Sequence, residues 1–216
     1  MTPATPAVAG PDAATYHHGD LPNVLRRAAA EVLAERGVAG FSLREVARRA
    51  GVSHAAPAHH FGDAEGLLTS VAIEGFQHLT VETTAATDGV DEPVGALAQL
   101  ARAYVTSSLG HPGHCAVMFR DDAVDTTDPE YQAWGQQAYG VLLGAVERLA
   151  RAQSPDLDVE LAASLCWSMV QGLVTVHAPL ARMAEDHGLL RPVPSIADLA
   201  DQLTRLLVAG LVGRPA

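Results

Sequence analysis

Residues 42 to 62 leave this chain little freedom of fold. Ser42 stands three residues before Glu45, the spacing at which a Ser hydroxyl accepts from one orphan helix amide and the Glu carboxylate reaches back to another. That spacing predicts a helix opening at Leu43. Leu43, Val46, Ala47 and Ala50 then recur at i, i+3, i+4 and i+7, a single apolar stripe that leaves Arg44, Glu45, Arg48 and Arg49 outside it. Gly51 supplies the permissive backbone of a tight turn, Val52 plugs the corner, and Ser53 is placed to cap a second helix over roughly 54 to 61. Pro57 removes an amide and disfavours helix at Ala56, so an irregular first turn is expected there. Two capped helices joined by a glycine turn make a helix-turn-helix, whose second helix enters the major groove of DNA. Two ordinary packed helices are the alternative, and the register of cap, glycine, valine and second cap argues against them.

The stretch Ala50-Gly51-Val52-Ser53, followed by His60-Phe61 and by Leu67-Leu68 near the start of a further long helix, resembles the DNA-binding domain of the TetR family of transcriptional regulators. The likeness runs from about Tyr16 to Leu79 and more weakly to the end, with a Tyr16-His17-His18-Gly19-Asp20-Leu21 lead-in similar to one subgroup. The resemblance implies DNA contacts from the start of the first motif helix (Ser42, Arg44), the leading edge of the second (Ser53, His54, Ala55, Ala56) and its phosphate-facing end (His59, His60). Two departures stand out. Ala58 and Ala64 occupy places where the family commonly has a phosphate-anchoring Tyr and a Lys, which implies weaker binding and a shallower salt dependence. The partner so implied is double-stranded DNA carrying a palindromic operator, read by a homodimer, because one short helix reaches too few bases.

The net charge of −11 looks wrong for a DNA binder until it is divided along the chain. Residues 16 to 62 hold six Arg against four acids, whereas residues 63 to 216 hold eight Arg against twenty. The motif region is thus positive, and carries His17, His18, His54, His59 and His60 besides, while the remainder repels phosphate and helps to set orientation. The 216 residues suffice for a small reader domain and a larger second one. The first fifteen lack the basic and apolar regions of a secretory signal, and no span of eighteen is free of polar groups, so a cytoplasmic protein without a membrane partner is expected. Cys115 and Cys166 sit in separate apolar segments and are expected as small buried hydrophobes.

The chain order that follows is all-α: a disordered leader over 1–15, the helix-turn-helix domain over 16–62, and a helical ligand-sensing and dimerisation bundle over 63–216. Asp20 is expected to cap a first helix with Pro22 in its opening turn and Gly37 at its end, its buried stripe being Leu21, Val24, Leu25, Ala28, Val32 and Leu33. Asp63 is expected to cap a connector helix over 63–86. The Thr87–Pro93 break separates it from a helix over Val94–Leu109. A short apolar piece over His114–Phe119 and a solvated acidic loop over Arg120–Asp128 come next. Helices are then expected from Pro129 to about Ala152, over 156–178, and over 195–212. The last two carry unusually apolar stripes, and in the family the resembling helices pair across a two-fold axis. That assigns Leu165, Met169, Gly172, Leu173, Val176, Leu199, Leu203, Leu206, Leu207 and Gly210 to a dimer interface, with an intrachain core as the alternative.

A small-molecule effector is implied by the resemblance, and the large side chains on converging segments are its candidate walls: Phe76, Tyr104, Met118, Phe119, Trp134, Tyr139 and Trp167, with His114, Cys115, Gln171 and His177 as polar points. Gln171 stands where the Trp-His-Gly signature of one TetR subgroup, matched here by the run from Trp167 to Gly172, has its His. The acidic bundle would suit a cationic lipophile, although surface acids explain the same charge. No cofactor, metal or enzymatic activity is expected: His114 and Cys115 point about 100° apart on a helix, so His114 cannot easily activate a Cys115 nucleophile, and a zinc site of His111, His114 and Cys115 would need more converging ligands than the sequence places. The expected function is a TetR-like regulator, a repressor released by its ligand. The alternative is a helical partner-binding protein whose helix-turn-helix has lost most of its affinity.

Overall fold

The computed structural model describes residues 20–186 and 193–213, which are helical and contain no strand. The leader over 1–15 and the Tyr16–Gly19 lead-in lie outside the described residues. Helix α1 (Leu21–Arg36) has a proline in its first turn, where a missing amide costs no intrahelical bond. It stops at Gly37, whose φ of 65° suits a residue without a Cβ. Asp20 occupies the cap position as expected, but its carboxylate accepts from the Asn23 side chain instead of a backbone amide.

Helix α2 (Leu43–Ala50) is capped by Ser42, whose hydroxyl accepts from the Glu45 amide at 3.3 Å. Only half of the expected capping box forms, because the Glu45 carboxylate turns to the Arg48 guanidinium at 2.7 and 2.8 Å. Gly51 adopts the left-handed conformation (φ 70°, ψ 30°) that closes the turn. Helix α3 (Ala56–Phe61) starts two residues later than the sequence suggests, with Ala55 and not Ser53 at its cap. The reason is Pro57. Were the helix to open at His54, Pro57 would owe a bond to the Ser53 carbonyl; opening at Ala56 puts it in the first turn, and that carbonyl instead accepts from the Ala56 amide at 3.0 Å.

Helix α4 (Ala64–Thr87), capped by Asp63 on the Gly66 amide at 2.9 Å, threads the molecule. Its first half gives Leu67, Leu68 and Val71 to a core shared with Leu25, Val32 and Leu33 of α1 and Val46 of α2. Its second half gives Phe76 and Leu79 to a core built with helices α5 (Pro93–Gly110), α8 (Val159–Asp186) and α9 (Ile196–Val212). A third core joins α5, α7 (Pro129–Gln153), α8 and α9 around Leu97, Leu149 and Ala163. The first core is completed from far along the chain by Val117 and Val124, which follow the short helix α6 (Pro112–Cys115). Asp125 adds its amide to the Thr69 hydroxyl at 2.8 Å.

Helix α8 departs most from expectation. It begins at Val159, where the Asp158 carboxylate accepts from the Leu161 amide at 3.0 Å, and it runs through Pro179 to Asp186 instead of ending near residue 178. The carbonyl that Pro179 leaves without its helical amide belongs to Thr175, and both residues are exposed, so the lost bond carries no burial penalty.

Candidate DNA-binding face and effector cavity

The helix-turn-helix presents Ser42, Arg44, Ser53, His54, Ala55, Ala58, His59 and His60 to solvent, while Ala56 is half-buried and Pro57 buried. The His59 and His60 rings meet edge to face, 5.4 Å between centroids. Much of the local positive charge is already spent. Arg49 forks onto Glu35 at 2.6 and 2.8 Å, and Arg36 and Arg48 converge on Glu45. Those guanidinium groups, Arg48's hydrogen bonds first, push the Glu45 carboxyl down to about 2. Arg26 turns inward toward Ser70 and Glu74. Among the described residues of this region, Arg27 and Arg44 are the cations left without an acidic partner, and Arg44 stands at the amino end of α2, beside the turn.

Between α4, α5, α7, α8 and α9 lies a cavity of about 250 Å³. Phe76, Tyr104, Phe119, Tyr139 and Trp167 line it as the sequence suggests, joined by Leu79, Leu97, Leu100, Leu142, Met169 and Val170. The rings brace one another: Phe119 lies 5.3 Å from Trp167 and 5.5 Å from Phe76, and Tyr139 lies 6.1 Å from Trp167. The hydroxyls in the wall are engaged with protein acceptors. Thr83 donates to the Leu79 carbonyl at 2.6 Å, Thr204 to that of Ala200 at 2.7 Å, Tyr104 to Gln171 Oε1 at 2.5 Å and Tyr139 to Glu160 at 3.3 Å. Among the described residues, no charged side chain lines the space. Burial pushes the Cys166 thiol up to about 11 and the Tyr104 hydroxyl up to about 12.

Six candidate wall residues stand elsewhere. Cys115 and Met118 border a much smaller void with Ser107, Ser108 and His111, and Trp134 packs against the second core. Gln171 sits behind Tyr104 as its acceptor, and His177 contacts the Pro194 carbonyl at 3.0 Å. His114 belongs to an open groove on the other side of α4, lined also by Asn23, Arg27 and Glu31 of α1. There His114 Nε2 lies 3.2 Å from Glu74 Oε2, and His111 Nε2 lies 3.1 Å from Glu82 Oε1. The His78 ring stacks on His111 at 4.3 Å with 7° between planes. Burial, with His111 and His114 adding to it, holds His78 below the ordinary imidazole range, and the His114 bond holds Glu74 below that of carboxylates. Sequence reasoning missed Glu74, His78 and Glu82; their i, i+4, i+8 spacing on one helix face was the available signal.

The described fold meets known proteins at both ends. The family model described as "Bacterial regulatory proteins, tetR family" matches residues 25–71, and "Tetracyclin repressor-like, C-terminal domain" matches 97–211, more than half of the chain. The chain belongs to the TetR family. A protein of unknown function from Rhodococcus sp. RHA1 is similar over 93% of this chain and all of its own, at 30% identity and a TM-score of 0.72. The TetR-family regulator PfmR of Thermus thermophilus shares the fold over 87% of this chain and 98% of its own (20% identity, TM-score 0.67). So does FadR of Bacillus subtilis, solved in complex with stearoyl-CoA, over the same shares of the two chains (18% identity, TM-score 0.68). No curated protein matches the sequence. As a TetR-family transcriptional regulator, this chain keeps the reader's helices and turn, but exposes the small side chains of Ala58 and Ala64 beside them.

Of the residues assigned to a dimer interface, Leu165, Gly172, Val176, Leu206 and Gly210 are exposed. Leu173 is buried in the second core, Met169, Leu199 and Leu203 pack against it, and Leu207 packs against the third. Leu161, Leu180 and Met183 extend the exposed line along α8. That helix is apolar and long enough, over Val159–Met183, to cross a membrane by length and composition.

Proposed function

We propose that this TetR-family regulator is a cytoplasmic homodimeric repressor that binds a palindromic operator and leaves it when an uncharged, largely apolar small molecule fills the cavity. The observation that carries the effector class is the wall itself: its hydroxyls are committed to protein acceptors, and no charged side chain of the described residues lines the space. A cationic ligand would enter without a counter-ion, at a large desolvation cost. FadR of Bacillus subtilis, a relative in fold, takes stearoyl-CoA, a molecule with a long apolar chain. The dimer rests on the exposed apolar line of Leu161, Leu165, Gly172, Val176, Leu180 and Met183 on α8, with Leu206 and Gly210 on α9. The α8 residues recur at helical spacing along one strip, directly beside the stripe of the buried Ala162, Cys166 and Val170, and such an apolar extension of the core-facing side suits a helix-pairing surface. Residues 112–119 supply a route from effector to reader, since Phe119 lines the cavity, Val117 belongs to the reader's core and Gly113 touches α1.

The test is fluorescence anisotropy of DNA from upstream of the protein's own gene against a scrambled duplex, at several salt concentrations. Preference for the upstream fragment is expected, and Arg44→Ala should lower the affinity and reduce the slope of log K against log salt by about 1, one phosphate contact's worth. Arg48→Ala should leave that slope alone, since its charge is taken by Glu45. A panel of straight-chain alcohols should release the complex, whereas quaternary ammonium analogues of the same length should not. Release by the cationic panel alone would reverse the effector assignment. Equal, feeble binding to both duplexes would favour a helical partner-binding protein, the reading to which exposed Ala58 and Ala64 lend weight.

A further inference from the structure

We propose that Glu74, His78 and His114 form a binding site for a divalent transition-metal ion of the zinc class, between the DNA-reading and sensing parts of the molecule. Their donor atoms, one carboxylate oxygen and two imidazole nitrogens, all lie within 4.8 Å of one another. His114 Nε2 and Glu74 Oε2 are 3.2 Å apart already, and bonds of about 2.0–2.1 Å around a tetrahedral ion require donors roughly 3.3 Å apart. A side-chain rotation of His78, which sits one turn beyond Glu74 on α4, completes a three-donor face. The fourth position opens onto the groove, where water can reach it.

The donor set selects among ions. Two imidazoles with one carboxylate suit zinc, cobalt or nickel, whereas calcium and magnesium want a cage of oxygens. Ligating histidines are also held by neighbours that orient the ring. Here His111 does this for His78 by stacking face to face at 4.3 Å, and is itself held by Glu82 at 3.1 Å. His111 is on that account a positioning residue and not a ligand.

The site has a competitor on the reader. Arg26 Nε of α1 approaches the same Glu74 Oε2 at 3.8 Å, so the guanidinium and the ion attract one carboxylate oxygen. An ion bound there reinforces the link between α4 and α6 that His114 and Glu74 already make, and weakens the hold of Arg26 on Glu74, leaving its contact with Ser70 between α1 and α4. Metal occupancy thereby bears on how α1 is held, by a route separate from the cavity.

The experiment uses the untagged full-length protein, titrated with Co²⁺ and followed by visible absorption. One equivalent should bind with the d–d bands of a nitrogen- and oxygen-ligated, four- or five-coordinate ion. His78→Gln and His114→Gln, polar replacements at half-buried positions whose folding is checked by circular dichroism, should each weaken binding at least about 100-fold, since orienting neighbours alone are worth 10–100-fold. Arg26→Ala, which removes the competing cation, should tighten it several-fold. A wild-type protein that binds no Co²⁺ below about 100 μM, or binding that survives both histidine replacements, overturns the site.

Discussion

Gly113→Ala tests how the reader is joined to the sensing bundle. Gly113 of α6 packs so closely on α1 that an added Cβ would sit 1.9 Å from the Ala30 carbonyl oxygen, 2.7 Å from its carbon and 2.9 Å from its Cα. All three neighbours are backbone atoms of a helix interior, which cannot swing aside as a side chain does. Restoring ordinary contact would require α1 and α6 to separate by roughly 1.5 Å, in an interior packed too densely to absorb it. Overpacking of this kind costs about 1–3 kcal/mol, and a rigid backbone neighbour puts this case at the upper end. For a chain of this size that amounts to a loss of at least about 4 °C in Tm. Calorimetry of the wild type, Gly113→Ala and Gly110→Ala checks it. Gly110 lies three residues earlier with nothing within 4 Å of its added Cβ, so its alanine variant should melt with the wild type or slightly above it. If Gly113→Ala melts within 1 °C of Gly110→Ala, the close approach of α6 to α1 does not exist in solution, and the proposed route through residues 112–119 fails with it.

Two further outcomes follow from exposure and from burial. Val176→Glu places a charge on the exposed apolar line of α8, where it should leave the folded monomer intact yet convert the dimer to monomer in size-exclusion chromatography with light scattering; an unchanged dimer would place the interface elsewhere. Burial pushes Cys166 up to about 11 from an ordinary thiol value near 9. A folded-state pKa above the unfolded one gives stabilisation that is complete below about pH 9 and drains away as pH climbs toward 11. Thermal melts at pH 7.5 and 10.5 should therefore show a larger alkaline loss for the wild type than for Cys166→Ala, and equal losses would refute the buried thiol's part in it.

The reader was legible because its signals are local. Ser42, Gly51 and Asp63 act within three or four residues of themselves, so caps and turn appear in the sequence much as they do in the fold. Where a local rule met a competing one, it failed. Ser53 lost its capping role to the demands of Pro57, and Pro179 did not end α8 because the bond it removes lies on an exposed face. The cavity was half legible. Large side chains on converging helices could be named, but not which of them face one space: Phe76 and Trp167 do, whereas Trp134, one helix turn before Ala138 of the wall, does not. The packing of Leu173, Leu199 and Leu203 into their own bundle was likewise hidden, since an apolar stripe has the same pattern whether it meets its own bundle or a second copy. The histidine groove was legible only as the spacing of Glu74, His78 and Glu82 along α4, which says nothing of what faces them. His111 and His114 meet Glu74, His78 and Glu82 only once α5 and α6 fold back along α4, a contact between residues some thirty to forty apart.

A cavity whose hydroxyls are all spoken for has a particular selectivity. Sites that hydrogen-bond their ligand reject an analogue lacking one group by factors of 10⁴ or more, whereas an apolar pocket discriminates chiefly through size and shape. Each methylene that still fits is worth about 0.8 kcal/mol, close to a fourfold gain in affinity, until the wall is reached and the next one is refused. This regulator would therefore grade the uncharged members of a homologous series by length while discriminating little among their small neutral substituents. It would respond to a mixture of metabolites as a ruler does, by the largest object that still fits, and its cell would read from it how hydrophobic its surroundings have become rather than which compound made them so.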